Sequence, residues 1–387
     1  MKNYKILLIL IIVIIQSCER KNLSDNISGI WIFDREISNQ FLNNKDGYLG
    51  MQYPIIYDFK KGGTLIMKNY LFKDTTFSLH WTIINDSLLI VDNIEYIVHG
   101  INEDSISFIS IKDSDSIWSI YRRPMDIKFD VNEQFISKIL TSNIWTAEDL
   151  EKYSWANHFE YFDNGTMVYR NRIFDKILQD SIDNLQLENW AIAKYDNYYF
   201  LYGIDDPFRN RGNFDYFNQI VSINNTSFSL QENYEGNSKE MSYKAKKPIE
   251  NWKILHENII GQWLSKNSNK RTYGKYGPDR LFKNGILALF EGNLIFEIDY
   301  DKLIYRLDSL KPRLCNWTLG KDAKTLILEY SIDNGPINDT YFECINILNL
   351  TDSRMKVRLF DYSFETDLEK PKEYYLNLIQ EFVKEKN

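Results

Sequence analysis

The chain has 387 residues, 44% of them hydrophobic and 26% charged, an ordinary globular balance that excludes disorder over most of its length. Only one long apolar run occurs, which excludes a helical protein crossing the membrane many times. The net charge of −8 gives no electrostatic footing for a nucleic-acid partner.

At ~150 residues per domain the length predicts two or three domains. The aromatic content of 15%, with 26 Tyr and 23 Phe, leans towards β-structure, although the codon usage of an AT-rich genome also raises Tyr and Phe. In chain order, the first feature is Lys2 and Lys5 followed by the unbroken apolar run Ile6 to Ile15. Ten helical residues rise only ~15 Å, too short to span a bilayer. A basic start and a short apolar core predict an export signal over residues 1–17. Next comes Ile15-Gln16-Ser17-Cys18, which resembles the lipobox of bacterial lipoproteins, with Gln16 an unusual residue at its position. The resemblance implies cleavage before Cys18 and lipidation of that residue, hence a lipid anchor in a bacterial cell envelope, at the outer membrane. Several acyl chains hold a protein on a membrane far better than one. The polar residues 18–27 read as a tether. Losing Lys2 and Lys5 with the signal leaves about −10 on the mature chain.

An internal repeat follows. Gly29-Ile30-Trp31, Asn143-Ile144-Trp145 and Gly261-Gln262-Trp263 stand 114 and 118 residues apart. Each precedes a Phe beside a glycine turn: Phe59 with Gly62-Gly63, Phe162 with Gly165, and Phe290 with Gly292. A second tryptophan, Trp81, Trp190 or Trp317, follows the first after 50, 45 and 54 residues, each in a hairpin pattern with Asn, Asp or Lys at its turn. Strand, polar turn and strand recur from Ile101, Ile223 and Leu348, and two copies close on Tyr121-Arg122-Arg123-Pro124 and Tyr243 to Pro248. Six of the nine tryptophans share this register, more order than chance similarity of β-rich sequence supplies.

Helical patterns separate the copies. Asp130 to Glu133 has the spacing of a capping box, with Phe135, Ile136, Ile139 and Leu140 on one face. Pro248 suits a first helical turn ahead of Trp252, Leu255 and Ile259, and Pro371 precedes a stripe of Tyr375, Leu378, Ile379 and Phe382. These predict linker helices over 125–141 and 249–259 and a C-terminal helix over 371–387, around repeats at 28–124, 142–248 and 260–370. With no Gly/Ser-rich or Pro-rich linker, the copies are expected to pack in a row.

Gly-x-Trp on the first strand, the Phe and glycine turn, the Trp hairpin and the late polar turn resemble the lipocalin-like domains of bacterial lipoproteins. The resemblance implies an all-β fold of three tandem small antiparallel β-barrels with short connecting helices. It casts Trp31, Trp145 and Trp263 as structural tryptophans near a closed end, under a basic residue from the last strand. Arg122, Arg123, Lys246 or Lys247 could supply that residue in the first two copies. Asn143 departs from the glycine of Gly29 and Gly261, and the third copy lacks a Tyr-Arg-Arg ending.

Little points to chemistry. His80, His99, His158 and His256 have no ligand spacing, and no nucleophile elbow or phosphate loop occurs. Asp113 to Ser116 and Asp205-Asp206 lack the rest of a calcium loop. The reading is therefore non-enzymatic, with no metal or cofactor, although paired carboxylates meet only in space. Cys315 and Cys344 fall on strands two apart in a meander, ~9–10 Å, too far for a disulfide.

An eight-stranded barrel is just wide enough to be filled or to hold one small ligand. Two functions stay open on that ambiguity, with an envelope hydrolase built on two facing carboxylates as a third, less favoured reading. In one, the barrels bind a small apolar ligand along inward stripes: Leu79, Trp81 and Ile83; Trp190 and Ile192; Cys315, Trp317 and Leu319. In the other, filled barrels form a scaffold that meets an envelope protein or glycan through loops at 32–58 and 264–289. The latter carries Lys266, Lys270, Arg271, Lys275 and Arg280 with Tyr273 and Tyr276.

Overall fold

The computed structural model describes residues 23–38, 54–70, 75–85, 87–112, 115–127, 129, 131–147, 158–175, 180–204, 216–234, 237–265, 294–307, 312–331, 340–359 and 379–385. The export signal, Cys18 and the basic-aromatic stretch at 266–280 lie outside them. Three closed antiparallel barrels of eight strands each account for the architecture. Barrel 1 runs from β1 (Gly29–Ser38) through β2 (Ile55–Lys60), β3 (Thr64–Asn69), β4 (Thr75–Ile84), β5 (Leu88–Val91), β6 (Ile94–Ile101) and β7 (Ser105–Lys112) to β8 (Asp115–Arg122). Barrel 2 takes β9 (Ile144–Ala147), β10 (His158–Tyr161), β11 (Thr166–Asp175), β12 (Asp180–Tyr195), β13 (Tyr198–Ile204), β14 (Tyr216–Ile223), β15 (Ser227–Tyr234) and β16 (Asn237–Lys246). Barrel 3 takes β17 (Gly261–Ser265), β18 (Leu294–Ile298), β19 (Lys302–Leu307), β20 (Arg313–Leu319), β21 (Thr325–Ser331), β22 (Thr340–Leu350), β23 (Arg354–Leu359) and β24 (Ile379–Lys384). In each, sequential strands pair and the last closes on the first, so no sheet edge is left open. Barrel 1 forms one compact unit with the residues before it; barrels 2 and 3 together form a second.

Among the described residues three short helices precede the barrels: α1 (Leu23–Ile27), α2 (Glu133–Ser142) and α3 (Trp252–Ile259). The tether expected over 18–27 therefore does not extend through α1, where Ile27 is fully buried. Helix α2 starts at Glu133, well inside the expected span 125–141, because the N-cap is Asn132, two residues beyond the expected cap Asp130, and its side chain accepts the Phe135 N–H at 2.8 Å. Ile136, Ile139 and Leu140 are buried as the apolar stripe predicted, whereas Phe135 stays exposed.

The C-terminal helix expected over 371–387 is corrected for its described part. Residues 379–384 are the closing strand β24, paired with both β17 and β23. Phe382 is buried and stacks on Phe296. The strand equivalent to β2 and β10 in barrel 3 is β18, and its turn is Asp299 to Asp301, so Phe290 is not the counterpart of Phe59. By register, Gly29 faces Phe59 and Gly261 faces Ile298. The late turn shifts too: Leu350 faces Met355 as Ile101 faces Ile106, two residues beyond the expected Leu348. One irregularity recurs in all three copies, a bulge between the sixth and seventh strands at Val98/Gly100, Ile220/Ser222 and Ile347/Asn349. It bends the sheet as closure requires.

Candidate functional site

Each barrel holds an interior cluster of its own buried side chains. In barrel 1 Trp31, Phe59, Trp81, Phe108 and Tyr121 belong to one buried cluster. Trp145, Tyr161, Trp190 and Phe228 do so in barrel 2, and Trp263, Phe296, Trp317 and Phe382 in barrel 3. The tryptophans placed as ligand-facing candidates are buried, and each indole N–H is already used. Trp81 donates to the carbonyls of Lys60 and Thr64, Trp190 to Phe162 at 3.1 Å, and Trp317 to Asp299 at 2.7 Å. Each acceptor belongs to the preceding hairpin, so the same indole clamp recurs three times. Cys315 and Cys344 form no disulfide and are buried; Cys315 lies in the core of barrel 3 and Cys344 on its outer wall.

The first-strand tryptophans close the other end of the module. Trp31 donates to Ile27 O at 2.6 Å, Trp145 to Leu140 O at 2.9 Å and Trp263 to Ile259 O at 2.7 Å, so each takes up a carbonyl freed at the end of a helix. In barrel 1 the Arg123 guanidinium lies 4.1 Å from the Trp31 ring and donates to Asn26 O at 2.6 Å and to Ser28 O. In barrel 3 Lys384 Nζ lies 5.3 Å from the Trp263 ring and donates to Asn258 O at 2.9 Å. A cation over an aromatic face and against helix-end carbonyls is favourable on both counts. The closing basic residue of the third copy was hidden in the sequence because β24 looks helical.

This cap explains the glycines. Gly29 and Gly261 have φ of +117° and +136°, which L side chains rarely adopt, and a Cβ there would strike Arg123 or Lys384. Barrel 2 does without both features. Ala245 bonds to Thr226 O as Arg123 bonds to Asp104 O and Lys384 to Ser353 O, so Ala245, not Lys246 or Lys247, holds the basic residue's place. Asn143 has φ −128° and its own amide reaches Ile139 O at 3.3 Å.

A different cluster joins barrels 2 and 3. Apolar residues Phe162, Val168 and Leu187 on the outside of barrel 2 meet Ile327 and Cys344 on barrel 3. Beside them lie His158 and Glu160 on β10, Arg170 on β11, the β20–β21 turn with Lys321 and Asp322, and Thr325 and Asn346. Residues two apart on a strand share a face, which sends His158 and Glu160 together towards barrel 3. Arg170 Nη2 lies 3.1 Å from Asp322 Oδ2 and donates to Thr325 Oγ1 at 2.8 Å, and its Nη1 donates to Asn346 Oδ1 at 3.3 Å. Glu160 Oε1 accepts the Lys321 N–H at 2.6 Å, with Lys321 Nζ at 3.7 Å. The linker joins the same turn, Ile249 N–H donating to Lys321 O and Trp252 Nε1 to Gly320 O at 2.7 Å.

Burial perturbs this cluster. Desolvation first, then the Asp322 charge, pushes the Glu160 carboxyl up to about 7, against the pull of Lys321 and Arg170. Burial holds His158 down at about 4, opposed by Asp322 and reinforced by Arg170, Lys246 and Lys324, so His158 is neutral near pH 7. Glu160 and Asp322 do face each other, but at 1% and 7% exposure they form no open hydrolytic cleft. Alongside runs an open groove of about 730 Å³ lined by α2 residues such as Glu133 and Lys138, with Asp163 and Lys321. Among the described residues no helix is long and apolar enough to cross a membrane.

No protein-family model and no curated protein matches the chain. Solved structures similar to it include the intact Ap-TbpB with its N and C lobes (9% identity, 92% of this chain and 76% of that one, TM-score 0.16). Another is the isotype 1 transferrin binding protein B from serogroup B Neisseria meningitidis (8% identity, 88% and 65%, TM-score 0.15). A third is a tryptophan-to-alanine mutant of the vaccine antigen transferrin binding protein B from Haemophilus parasuis Hp5 (10% identity, 92% and 75%, TM-score 0.15). Superpositions this loose carry no argument, and the fold stands on the strand pairing above.

Proposed function

We propose that this chain is a non-catalytic binding lipoprotein of the bacterial cell envelope. It is anchored through Cys18, at the outer membrane, and meets a macromolecular partner, an envelope protein or glycan, through the outer surfaces of its barrels. One observation carries the choice over a lipid-carrier role. The interiors are occupied by aromatic side chains whose polar atoms are bonded, as at Trp81, Trp190 and Trp317. A ligand would have to displace a packed core, and core rearrangements of that size cost several kcal/mol.

Titration of the delipidated chain with an apolar fluorophore tests the choice, read by dye emission and tryptophan quenching. Non-saturable, weak emission is expected. Saturable binding at one site per barrel, competed by a fatty acid, would overturn it. Crosslinking in intact envelopes is the second arm: a discrete heteromeric adduct is expected, and recovery of monomer alone counts against a partner.

A further inference from the structure

We propose that the joint between barrels 2 and 3 is a site for one divalent first-row transition metal, with His158, Glu160 and Asp322 as its protein ligands. One donor atom from each of the three lies within 4.8 Å of the others, and His158 Nε2 is 3.6 Å from Asp322 Oδ2. Zinc bonds of roughly 2.0–2.2 Å put tetrahedral ligands about 3.3 Å apart, so the widest pair of the trio need close by no more than about 1.5 Å. The two carboxylates also converge on one point. Glu160 Oε2 and Asp322 Oδ1 both lie 3.0 Å from where a Cβ on Gly320 would stand, and that residue has none. One imidazole and two carboxylates suit zinc, manganese or iron(II) better than calcium.

A second observation comes from the repeat. By strand register His158 occupies the position of Ile56 in barrel 1 and Ile295 in barrel 3. An imidazole therefore replaces isoleucine in barrel 2, where this wall meets the turn of barrel 3 that carries Asp322. Glu160 has acidic counterparts in Asp58 and Glu297, so the acid is part of the module and the histidine is the addition. Arg170 and Lys321 already balance the two carboxylates. Arg170 stays as an outer partner of Asp322, an arrangement that orients ligating carboxylates. Lys321 is the mobile counterion: its Nζ is 3.7 Å from Glu160 and it also lines the groove, so it can give way to the ion and reach water. The metal would clip the two barrels together from residues about 160 positions apart in sequence. The site is independent of the partner-binding role, and either can fail alone.

The test uses the tag-free full chain, stripped with a chelator and titrated with Zn²⁺ against a competing indicator, with metal content measured after dialysis. One equivalent of Zn²⁺ is expected. Co²⁺ in its place should give the visible absorption of a low-coordinate site with nitrogen ligation. His158→Ile restores the residue of the sister barrels and so preserves folding; it should weaken binding by on the order of 100-fold and abolish the Co²⁺ band. Asp322→Asn should weaken it at least tenfold. Absence of a bound equivalent, or an equivalent untouched by His158→Ile, would overturn the proposal.

Discussion

Substitution of the capping glycines tests the account of the barrel ends most directly. Gly29→Ala forces an L residue to φ +117° and brings its Cβ to 2.7 Å from Arg123 Nη1. The backbone strain costs about 1–3 kcal/mol. Displacing the guanidinium from Trp31 and from the carbonyls of Asn26 and Ser28 costs another 1–2 kcal/mol or so. The total is on the order of 2–5 kcal/mol. Gly261→Ala should cost a similar amount through Lys384. Asn143 sits at an ordinary φ of −128° with one long hydrogen bond, so Asn143→Ala should cost under about 1 kcal/mol. Urea unfolding followed by tryptophan fluorescence measures all three. Because barrel 1 is a compact unit of its own, Gly29→Ala should move one transition and Gly261→Ala another. The reasoning is refuted if Asn143→Ala costs as much as Gly29→Ala, or if Gly29→Ala costs less than 1 kcal/mol.

Other consequences are equally direct. Phe382→Ala should destabilise barrel 3 by about 3–5 kcal/mol, and deleting residues 379–387 should unfold that barrel; an unchanged melting curve would restore the peripheral-helix reading. Trp317→Phe leaves the Asp299 carbonyl without its donor and should cost about 1–3 kcal/mol, visible in denaturant midpoint with little change in far-ultraviolet dichroism. Ile327→Asp puts a charge into the apolar part of the joint and should split the shared unfolding of barrels 2 and 3 into two transitions, with new protease cleavage at 247–251.

The repeat was legible because tryptophan is rare and each one carries a geometric duty. The first closes a helix end and the second clamps a hairpin, so their spacing survives where the rest drifts. Phe290 misled because the true turn of barrel 3, Asp299-Tyr300-Asp301, contains no glycine, while a Phe with a glycine happens to precede it. The closing strand misled because Leu378, Ile379 and Phe382 satisfy a helical period, and short apolar runs do not discriminate. The missing eighth strand of the third copy was the signal that could have settled it. The joint was illegible for another reason. His158 and Glu160 show as a face-sharing pair on one strand, but Asp322 comes from a turn on another barrel, and local patterning carries no information about such contacts.

The same acid–base pair in two settings gives a test of what burial does. Register aligns Glu160 and Arg170 of barrel 2 with Glu297 and Arg306 of barrel 3. In barrel 3 the pair lies on the surface, 3.0 Å apart with side chains 49% and 32% exposed. Such pairs contribute about 0–1 kcal/mol. In barrel 2 the positions are covered by the Asp322 turn, Arg170 turns to Asp322, and both are nearly dry. Removing one partner of a buried pair costs about 3–5 kcal/mol, because the charge left behind is desolvated without compensation. Arg170→Met should therefore destabilise the barrel 2–barrel 3 unit by that amount and also strand the acceptors on Thr325 and Asn346. Arg306→Met should cost no more than about 1 kcal/mol. Matched urea curves on the two variants decide the matter. Equal costs would mean that the joint is wetter than its packing implies and that barrels 2 and 3 are held together by the apolar contact alone.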